Sequence, residues 1–280
     1  MEKSASAGVH RQLSTATTSV CTAAIKALTD DIRNSNATTL MGLRTELANA
    51  AHAMQERDDA PISIASLCEL FVRFVTRTAL ESPDFDSCKR LLIERGEMFA
   101  RTSDAASTKI SDLGWSFVAP NSVVLTHGYS RMVIATLLAA ARRRHFSVVI
   151  AESHQRGKGH LTAERLAEAG VPVTVIEDAA VAHAMTRIQM VLCGAEAVVE
   201  SGGVISKTGT YQMAIVASAC KKPFYVAAES TKFARMLPLS QEDLPEHESA
   251  AEHAAFVGRT LPDPASNIRL EKPSRDYTPP

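Results

Sequence analysis

Short apolar segments rich in β-branched residues recur through the second half of the chain, and this recurrence constrains the fold more than any other sequence feature. The strand candidates are residues 123–126, 146–151, 171–176, 190–193 and 224–228. Helical segments are predicted between them, at 130–143, 162–169 and 210–220. Because each strand candidate is apolar throughout, it is expected to be covered on both faces. This alternation predicts right-handed βαβ units, and hence an α/β fold with an open, mostly parallel Rossmann-like sheet and helices on both faces.

The first half of the chain has helical periodicity instead. Its clearest apolar stripe repeats at positions i, i+3, i+4 and i+7 and consists of Ile64, Leu67, Cys68, Phe71, Phe74 and Val75. The pattern changes near residues 119–121, and a chain of 280 residues is long for one hydrophobic core. We therefore predict an N-terminal helical domain over residues 1–118 and a Rossmann-like α/β domain over residues 119–280.

Composition narrows the functional classes. The formal net charge is -1, so charge does not favour a nucleic acid or membrane partner. The 5 cysteines are odd in number and widely spaced, which favours reduced thiols over a disulfide framework or a zinc site. No apolar stretch has the length of a signal peptide or a membrane span, so a cytoplasmic location is expected. For the run Arg142 to Arg144, a solvated helix end is favoured over phosphate binding.

Ligands of open parallel sheets bind beyond the carboxyl ends of the strands, so the predicted cleft lies between residues 125–131 and 194–210. His127 follows the first strand, where an imidazole can donate to a phosphate or act as an acid or base. The alternative is a histidine that only ties the loop to a backbone carbonyl. Ser130 and Arg131 begin a helix and suit an anion, unless Ser130 is only a helix cap. Tyr129 lies between these residues and is included in the predicted site.

The other side of the cleft is predicted to be formed after the fourth strand. Glu196 is a candidate to hold a sugar hydroxyl, and the alternative is a pair with Lys207 or with a backbone amide. The glycine pair that includes the candidate residue Gly203 predicts a tight turn between short strands. Lys207, Thr208 and Thr210 lead into a helix, and a lysine beside helix-terminal amides is a plausible phosphate cradle.

The known nucleotide and catalytic motifs do not account for this cleft. The glycine spacing differs from a P-loop, and no GxGxxG motif follows the first strand. The sequence contains no HExxH motif and no Ser-His-Asp order typical of hydrolases. Taken alone, these residues predict an anion-binding α/β cleft, with no catalytic residue, metal or cofactor assigned.

Several longer strings resemble the alpha subunits of eukaryotic translation initiation factor 2B. They are Val124-Leu-Thr-His-Gly-Tyr-Ser-Arg131 and residues 194–214, 222–233, 39–47, 91–99 and 171–181. The resemblance implies a regulatory, non-catalytic subunit of the guanine nucleotide exchange factor for initiation factor 2. The implied partners are a second copy of the chain, the beta and delta subunits of the same factor, and the phosphorylated alpha subunit of initiation factor 2. No direct contact with nucleic acid or membrane is implied.

The same family is related to sugar-phosphate aldose–ketose isomerases, which resemble this chain in the same two loops. Those enzymes carry a cysteine directly after the strand-end histidine and an aspartate in a Gly-Ala-Asp string, where this chain has Gly128 and Glu196. They also favour an arginine where this chain has His154. Glycine cannot transfer a proton, and the glutamate carboxylate is displaced by a methylene, whereas proton transfer needs heavy atoms within ~3 Å. The resemblance therefore implies a cleft that binds a sugar phosphate or nucleotide, with isomerase activity as the alternative.

Family members continue beyond an Asp-Tyr-Thr-x-Pro motif, here residues 276–280, with a further strand and helix. The resemblance therefore implies that the α/β domain lacks its final strand and helix within this sequence.

Overall fold

A computed structural model describes residues 20–55, 62–81, 84–153, 158–244 and 273–280. These residues form two compact units. The first unit falls within residues 1–107 and also includes the segment 229–235, and the second falls within residues 108–228 and 236–280. The division at residue 107 lies inside a long helix, and the domain limits at 118 and 119 remain a prediction.

The first unit is helical. Its elements are α1 (Val20–Asn34), α2 (Leu40–Gln55), α3 (Ile62–Glu81) and the first part of α4 (Phe85–Gly114). The predicted apolar stripes form one core, in which the most buried large side chains are Ile25, Leu28, Ile32, Leu43, Leu47 and Leu92. Helix α4 approaches α1 closely at Gly96, where an added Cβ would lie 2.4 Å from Thr29 Oγ1. A glycine is therefore required at that crossing.

The second unit contains a parallel sheet of five strands. They are β1 (Val123–His127), β2 (Ser147–Ala151), β3 (Val173–Ile176), β4 (Met190–Gly194) and β7 (Phe224–Ala227). Their order is β3-β2-β1-β4-β7, and all four neighbouring pairs are parallel. The five predicted strands are confirmed to within two residues at each end.

Helices cover both faces of this sheet. They are α5 (Arg131–Ala141), α6 (Lys158–Glu168), the short α7 (Val181–Ala184) and α8 (Thr210–Ala219). Helices α5 and α6 contribute Leu137 and Leu166 to the core on one face. Helices α7 and α8 contribute Val181 and Met213 to the core on the other face. The predicted α/β fold, with a helical region followed by a parallel sheet covered by helices, is confirmed.

A second, smaller sheet has the order β5-β6-β8. Its antiparallel strands are β5 (Ala197–Val198), β6 (Val204–Lys207) and β8 (Arg275–Thr278). The turn predicted at Gly202 and Gly203 joins β5 to β6, and Gly202 adopts a φ of 89° that suits glycine. Strand β8 has no counterpart among the predicted strands, and it joins this sheet by pairing with β6.

The arginine run at the end of α5 packs around an aromatic ring. The guanidinium carbons of Arg143 and Arg144 lie 4.7 and 4.8 Å from the centre of the Trp115 ring. Arg143 also donates to the Ala139 carbonyl at 3.1 Å, and Arg144 donates to the Ser116 carbonyl at 3.1 Å. Two of the three arginines therefore have structural contacts, which agrees with the interpretation that preferred a helix end to a phosphate site. No helix of the described residues is both long and apolar enough to cross a membrane.

Candidate functional site

The carboxyl ends of β1 and β4 define the centre of the candidate site. These strands are neighbours, and the sheet grows from β1 toward β2 and from β4 toward β7. This reversal is the switch point at which open α/β sheets bind ligands. Gly194 ends β4, and a Cβ there would lie 2.3 Å from Ser130 Oγ, so the two loops approach each other closely. The predicted cleft segments therefore meet at the expected edge of the sheet.

His127, the last residue of β1, has a side chain that is only 3% exposed. Its Nδ1 lies 3.3 Å from Thr210 Oγ1, and its Nε2 lies 3.5 Å from Asp178 Oδ1 without forming a hydrogen bond. The single proton of the Thr210 hydroxyl is donated to the Lys207 carbonyl at 2.8 Å. Which of the two atoms donates in the contact between Thr210 Oγ1 and Nδ1 depends on the tautomer of the His127 ring. His127 is tied to a side chain on the opposite loop, and not to the backbone carbonyl that the alternative interpretation named.

Gly128 and Ser153 pack against each other directly beside His127. Gly128 has a φ of 55°, and a Cβ at this position would lie 2.9 Å from Ser153 Cβ. Ser153 is itself in the left-handed region, with a φ of 56°, and its amide donates to Asp178 Oδ1 at 2.9 Å. Asp178 thus holds the Ser153 amide and faces the His127 ring. His154, where the related isomerases favour an arginine, lies outside the described residues.

The loop from β1 into α5 positions the next predicted residues. Ser130 caps α5, because its hydroxyl accepts a hydrogen bond from the Val133 amide at 3.4 Å. Ser130 is therefore the N-cap of α5, which is the alternative that the sequence left open. Arg131 is the first residue of α5, and both Arg131 and Tyr129 are half-buried. Their assignment to a ligand remains a prediction.

The N-terminus of α8, predicted to cradle a phosphate, already holds a carboxylate of the chain. The amides of Gly209 and Tyr211 donate to Asp276 Oδ2 at 2.8 and 2.9 Å. Asp276 is 8% exposed, and burial raises the pKa of its carboxyl to about 6. The hydrogen bonds from these amides and the charge of His127 oppose that increase in pKa. The other oxygen, Oδ1, is buried without a hydrogen-bond partner.

Glu196 is held by a residue of β8. Its Oε2 accepts from Arg275 Nε at 2.7 Å, in a pair whose side chains are 28% and 10% exposed respectively. The donor in this hydrogen bond is therefore Arg275, whereas the sequence suggested Lys207 or a backbone amide as the partner of Glu196. Lys207 is half-buried at the end of β6, in register with Arg275. Thr208 donates from its hydroxyl to the Pro273 carbonyl at 2.6 Å.

Gly203 lies at the opposite end of β6 from Lys207. It precedes β6, whereas Lys207 ends it, so about 13 Å of strand separates the two. A Cβ on Gly203 would lie 2.6 Å from Tyr277 Cε2, which identifies close packing beneath that ring. The structure thus brings His127 against Thr210 and Ser130 against Gly194, while Glu196 lies just before β5 and Lys207 ends β6.

Sequence reasoning missed four residues of this cluster, which are Ser153, Asp178, Arg275 and Asp276. Asp178 follows β3, so the rule that placed the other loops at the carboxyl ends of strands also points to it. Asp276 and Arg275 belong to a strand that pairs with β6 about 70 positions earlier in the chain, and no local pattern indicates this pairing. Among the described residues, no group of three His, Cys, Asp or Glu side chains is placed to hold a metal ion.

The comparisons with known proteins agree on one family. Residues 14–280 match the model of the initiation factor 2 subunit family. The chain is 43% identical to translation initiation factor eIF2B subunit alpha of Dictyostelium discoideum, over 94% of this chain and 84% of that protein. It is 36% identical to the subunit of the same name from Caenorhabditis elegans, over 92% of this chain and 83% of that protein. It is 29% identical to ribose 1,5-bisphosphate isomerase of Haloferax volcanii, over 76% and 65% of the two chains.

Solved structures share the fold. A translation initiation factor eIF-2B from Pyrococcus horikoshii has a TM-score of 0.74 at 21% identity, covering 98% of this chain and 91% of that one. A chain of the tetrameric eIF2B beta-delta complex from C. thermophilum has a TM-score of 0.77 at 19% identity, covering 100% of this chain and 86% of that one. These identities are low, so the structural likeness concerns the fold. From the family match and the two eIF2B relatives, we conclude that the chain belongs to the initiation factor 2 subunit family.

Proposed function

We propose that this chain is a regulatory, non-catalytic alpha-type subunit of the guanine nucleotide exchange factor for translation initiation factor 2, acting in the cytoplasm. The observation that carries the proposal is the 43% identity to an eIF2B alpha subunit over 94% of the chain. The chain would form a homodimer, join the beta and delta subunits, and help the complex respond to the phosphorylated alpha subunit of initiation factor 2. The eIF2B beta-delta tetramer, whose chains share this fold, supports assembly with related subunits.

The geometry beside His127 supports a non-catalytic role. The related isomerases carry a cysteine at the position of Gly128, which has no side chain to move a proton. A side chain introduced there would begin 2.9 Å from Ser153 Cβ, so the neighbouring serine fills the space. The carboxylate of Glu196 is hydrogen-bonded to Arg275, which opposes its use as a free acid or base. Both isomerase positions are therefore committed to other contacts.

The cleft itself is proposed to bind a sugar phosphate or a nucleotide that modulates the complex. The proposed contact residues are His127, Tyr129, Ser130, Arg131, Glu196, Lys207, Thr208 and Thr210. The support is the contact of His127 with Thr210 and the close approach of Ser130 to Gly194 at the switch point of the sheet, where ligands of this architecture bind. Gly203 remains a prediction, with less support because it packs against Tyr277.

Assembly is tested by co-expressing the tagged full chain with the beta and delta subunits of its own species and recovering the complex. We expect a stable complex, and native mass measurement should show a dimer of the chain both alone and as part of that complex. An unrelated tagged protein of the same size is the control. Failure of the beta and delta subunits to co-purify, while the chain itself is folded and soluble, would refute the proposal.

The second candidate is a sugar-phosphate isomerase, favoured by the 29% identity to a ribose 1,5-bisphosphate isomerase. Purified chain incubated with ribose 1,5-bisphosphate should give no ketose product above a protein-free control. An authentic isomerase assayed in parallel establishes that the assay responds. Turnover by this chain would show that Gly128 and Glu196 do not abolish the chemistry, and the isomerase assignment would replace ours.

A further inference from the structure

The N-terminus of α8 has the features of an anion position. Helix α8 has ten residues, and its first amides lie at the positive end of the helix dipole. Gly209 adopts a φ of 106°, which turns its amide and that of Tyr211 toward one point. Such converging amides bind phosphates and carboxylates in many proteins. Here both amides donate to the same oxygen of Asp276, so the anion is supplied by β8 of the same chain.

Two buried atoms beside this position have no hydrogen-bond partner. They are Asp276 Oδ1 and His127 Nε2, on residues that are 8% and 7% exposed. Oδ1 of the Asp276 carboxylate can only accept. Nε2 of His127 lies 3.5 Å from Asp178 Oδ1, and its role as donor or acceptor depends on the tautomer of the ring. A buried oxygen without a hydrogen-bond partner is uncommon in native proteins, so Asp276 Oδ1 calls for a group that donates.

From these contacts we infer that Asp276 determines which end of a ligand the cleft accepts. Its carboxylate occupies the anion position of α8, and its unpartnered oxygen Oδ1 is an acceptor that favours the hydroxyl-bearing part of a polyol phosphate over its phosphate. A phosphate placed at the α8 amides would have to displace the carboxylate or lie against it with the same sign of charge. Arg275, the neighbouring cation on β8, is paired through its Nε with Glu196.

This inference rests on the ligand cleft of the proposed function and specifies the orientation of its ligand. It assigns a role to a residue of β8, an element that contributes nothing to the cleft in the sequence-based prediction. It also separates two chemical roles within the cleft. The α8 side selects hydroxyl groups, and the phosphate is directed away from Gly209 and Tyr211.

The test follows the amide resonances of Gly209 and Tyr211 by nitrogen-15 NMR while inorganic phosphate is added to the full chain. In the wild-type protein we expect no change in these two resonances up to tens of millimolar phosphate. In Asp276→Ala the amides are released, and phosphate should shift both resonances with at least about tenfold tighter binding than in wild type. Asp276→Asn is the matched control, because its side-chain oxygen still accepts from the two amides, and it should stay unresponsive.

Phosphate-dependent shifts of these amides in the wild-type protein would overturn the inference, as would a folded Asp276→Ala variant that ignores phosphate. If that variant fails to fold, a crystal structure of the wild-type chain with ribose 5-phosphate decides instead. A ribose hydroxyl beside Asp276 supports the inference, and the phosphate at Gly209 or Tyr211 refutes it. If the chain does not bind ribose 5-phosphate, the proposed function of the cleft as a ligand site is refuted. The titration with inorganic phosphate tests the role of Asp276 at the α8 amides separately.

Discussion

Replacing Asp276 by asparagine should change how the stability of the α/β unit depends on pH. Burial raises the pKa of this carboxyl from its ordinary value of 3.8 to about 6. A raised folded-state pKa means that the stabilising contribution is complete below the unfolded-state pKa and is lost as the pH rises through the folded-state pKa. A shift of one unit in pKa corresponds to about 1.4 kcal/mol. The wild-type protein should therefore lose about 3 kcal/mol of unfolding free energy between about pH 4 and pH 7.

The asparagine variant lacks this titration but keeps an oxygen for the amides of Gly209 and Tyr211. The difference in unfolding free energy between variant and wild type should therefore shift by about 3 kcal/mol in favour of the variant over the same pH range. Urea unfolding at several pH values measures it, and the fluorescence of Trp115 reports on this unit because it is the single tryptophan of the chain. Parallel pH profiles for the two proteins would refute the assignment of a buried, destabilised carboxylate to Asp276.

Three further substitutions or treatments test the packing described above. Gly128→Cys should lose about 2–4 kcal/mol of unfolding free energy, measured by urea unfolding, and should gain no isomerase turnover. The control Gly170→Cys also replaces a glycine of positive φ, but it has open space around it and should lose only about 1 kcal/mol. Arg144→Ala should be about 1–3 kcal/mol less stable than wild type, because Arg144 contacts backbone carbonyls and the Trp115 ring. Arg142 is exposed in the same run, so Arg142→Ala should stay within about 0.5 kcal/mol of wild type, and equal losses in the two variants would contradict the structural role of Arg144. Native protein should react with a thiol reagent at Cys220 alone, since the other four thiols are buried, and fast labelling of two or more thiols would contradict this burial.

The parallel sheet could be predicted from sequence because its signals are local. Each strand is a short apolar run, and burial on both faces requires the whole run to be apolar, so the pattern survives without knowledge of its neighbours. The turn at Gly202 was predictable for a similar reason, since a φ of 89° selects glycine. Strand β8 carries Arg275, Asp276 and Tyr277 within four residues, a composition with no apolar run, and only its pairing with β6 makes it a strand.

The candidate site was predictable in position but less so in its contacts. The carboxyl-end rule pointed to His127, which ends β1, and to Glu196, which follows β4, on the two strands at which the sheet reverses. The rule does not say which group will satisfy a given amide or carboxylate, because several partners of the right charge are available along the chain. Arg275 holds Glu196 and Asp276 fills the α8 amides, and both depend on a pairing between distant segments that one sequence does not reveal.

The segment 229–235 has a consequence for how this protein is made. It belongs to the helical unit, where Glu229 is 2% exposed, where burial raises the pKa of the Cys21 thiol, and where Thr231 and Lys232 oppose that increase. During synthesis, the helices through Ser107 leave the ribosome long before this segment does. The first unit to be translated therefore stays incomplete until the five strands of the parallel sheet have been made. The second unit is completed later still, because β8 (Arg275–Thr278) is made last, so both units wait for segments far along the chain.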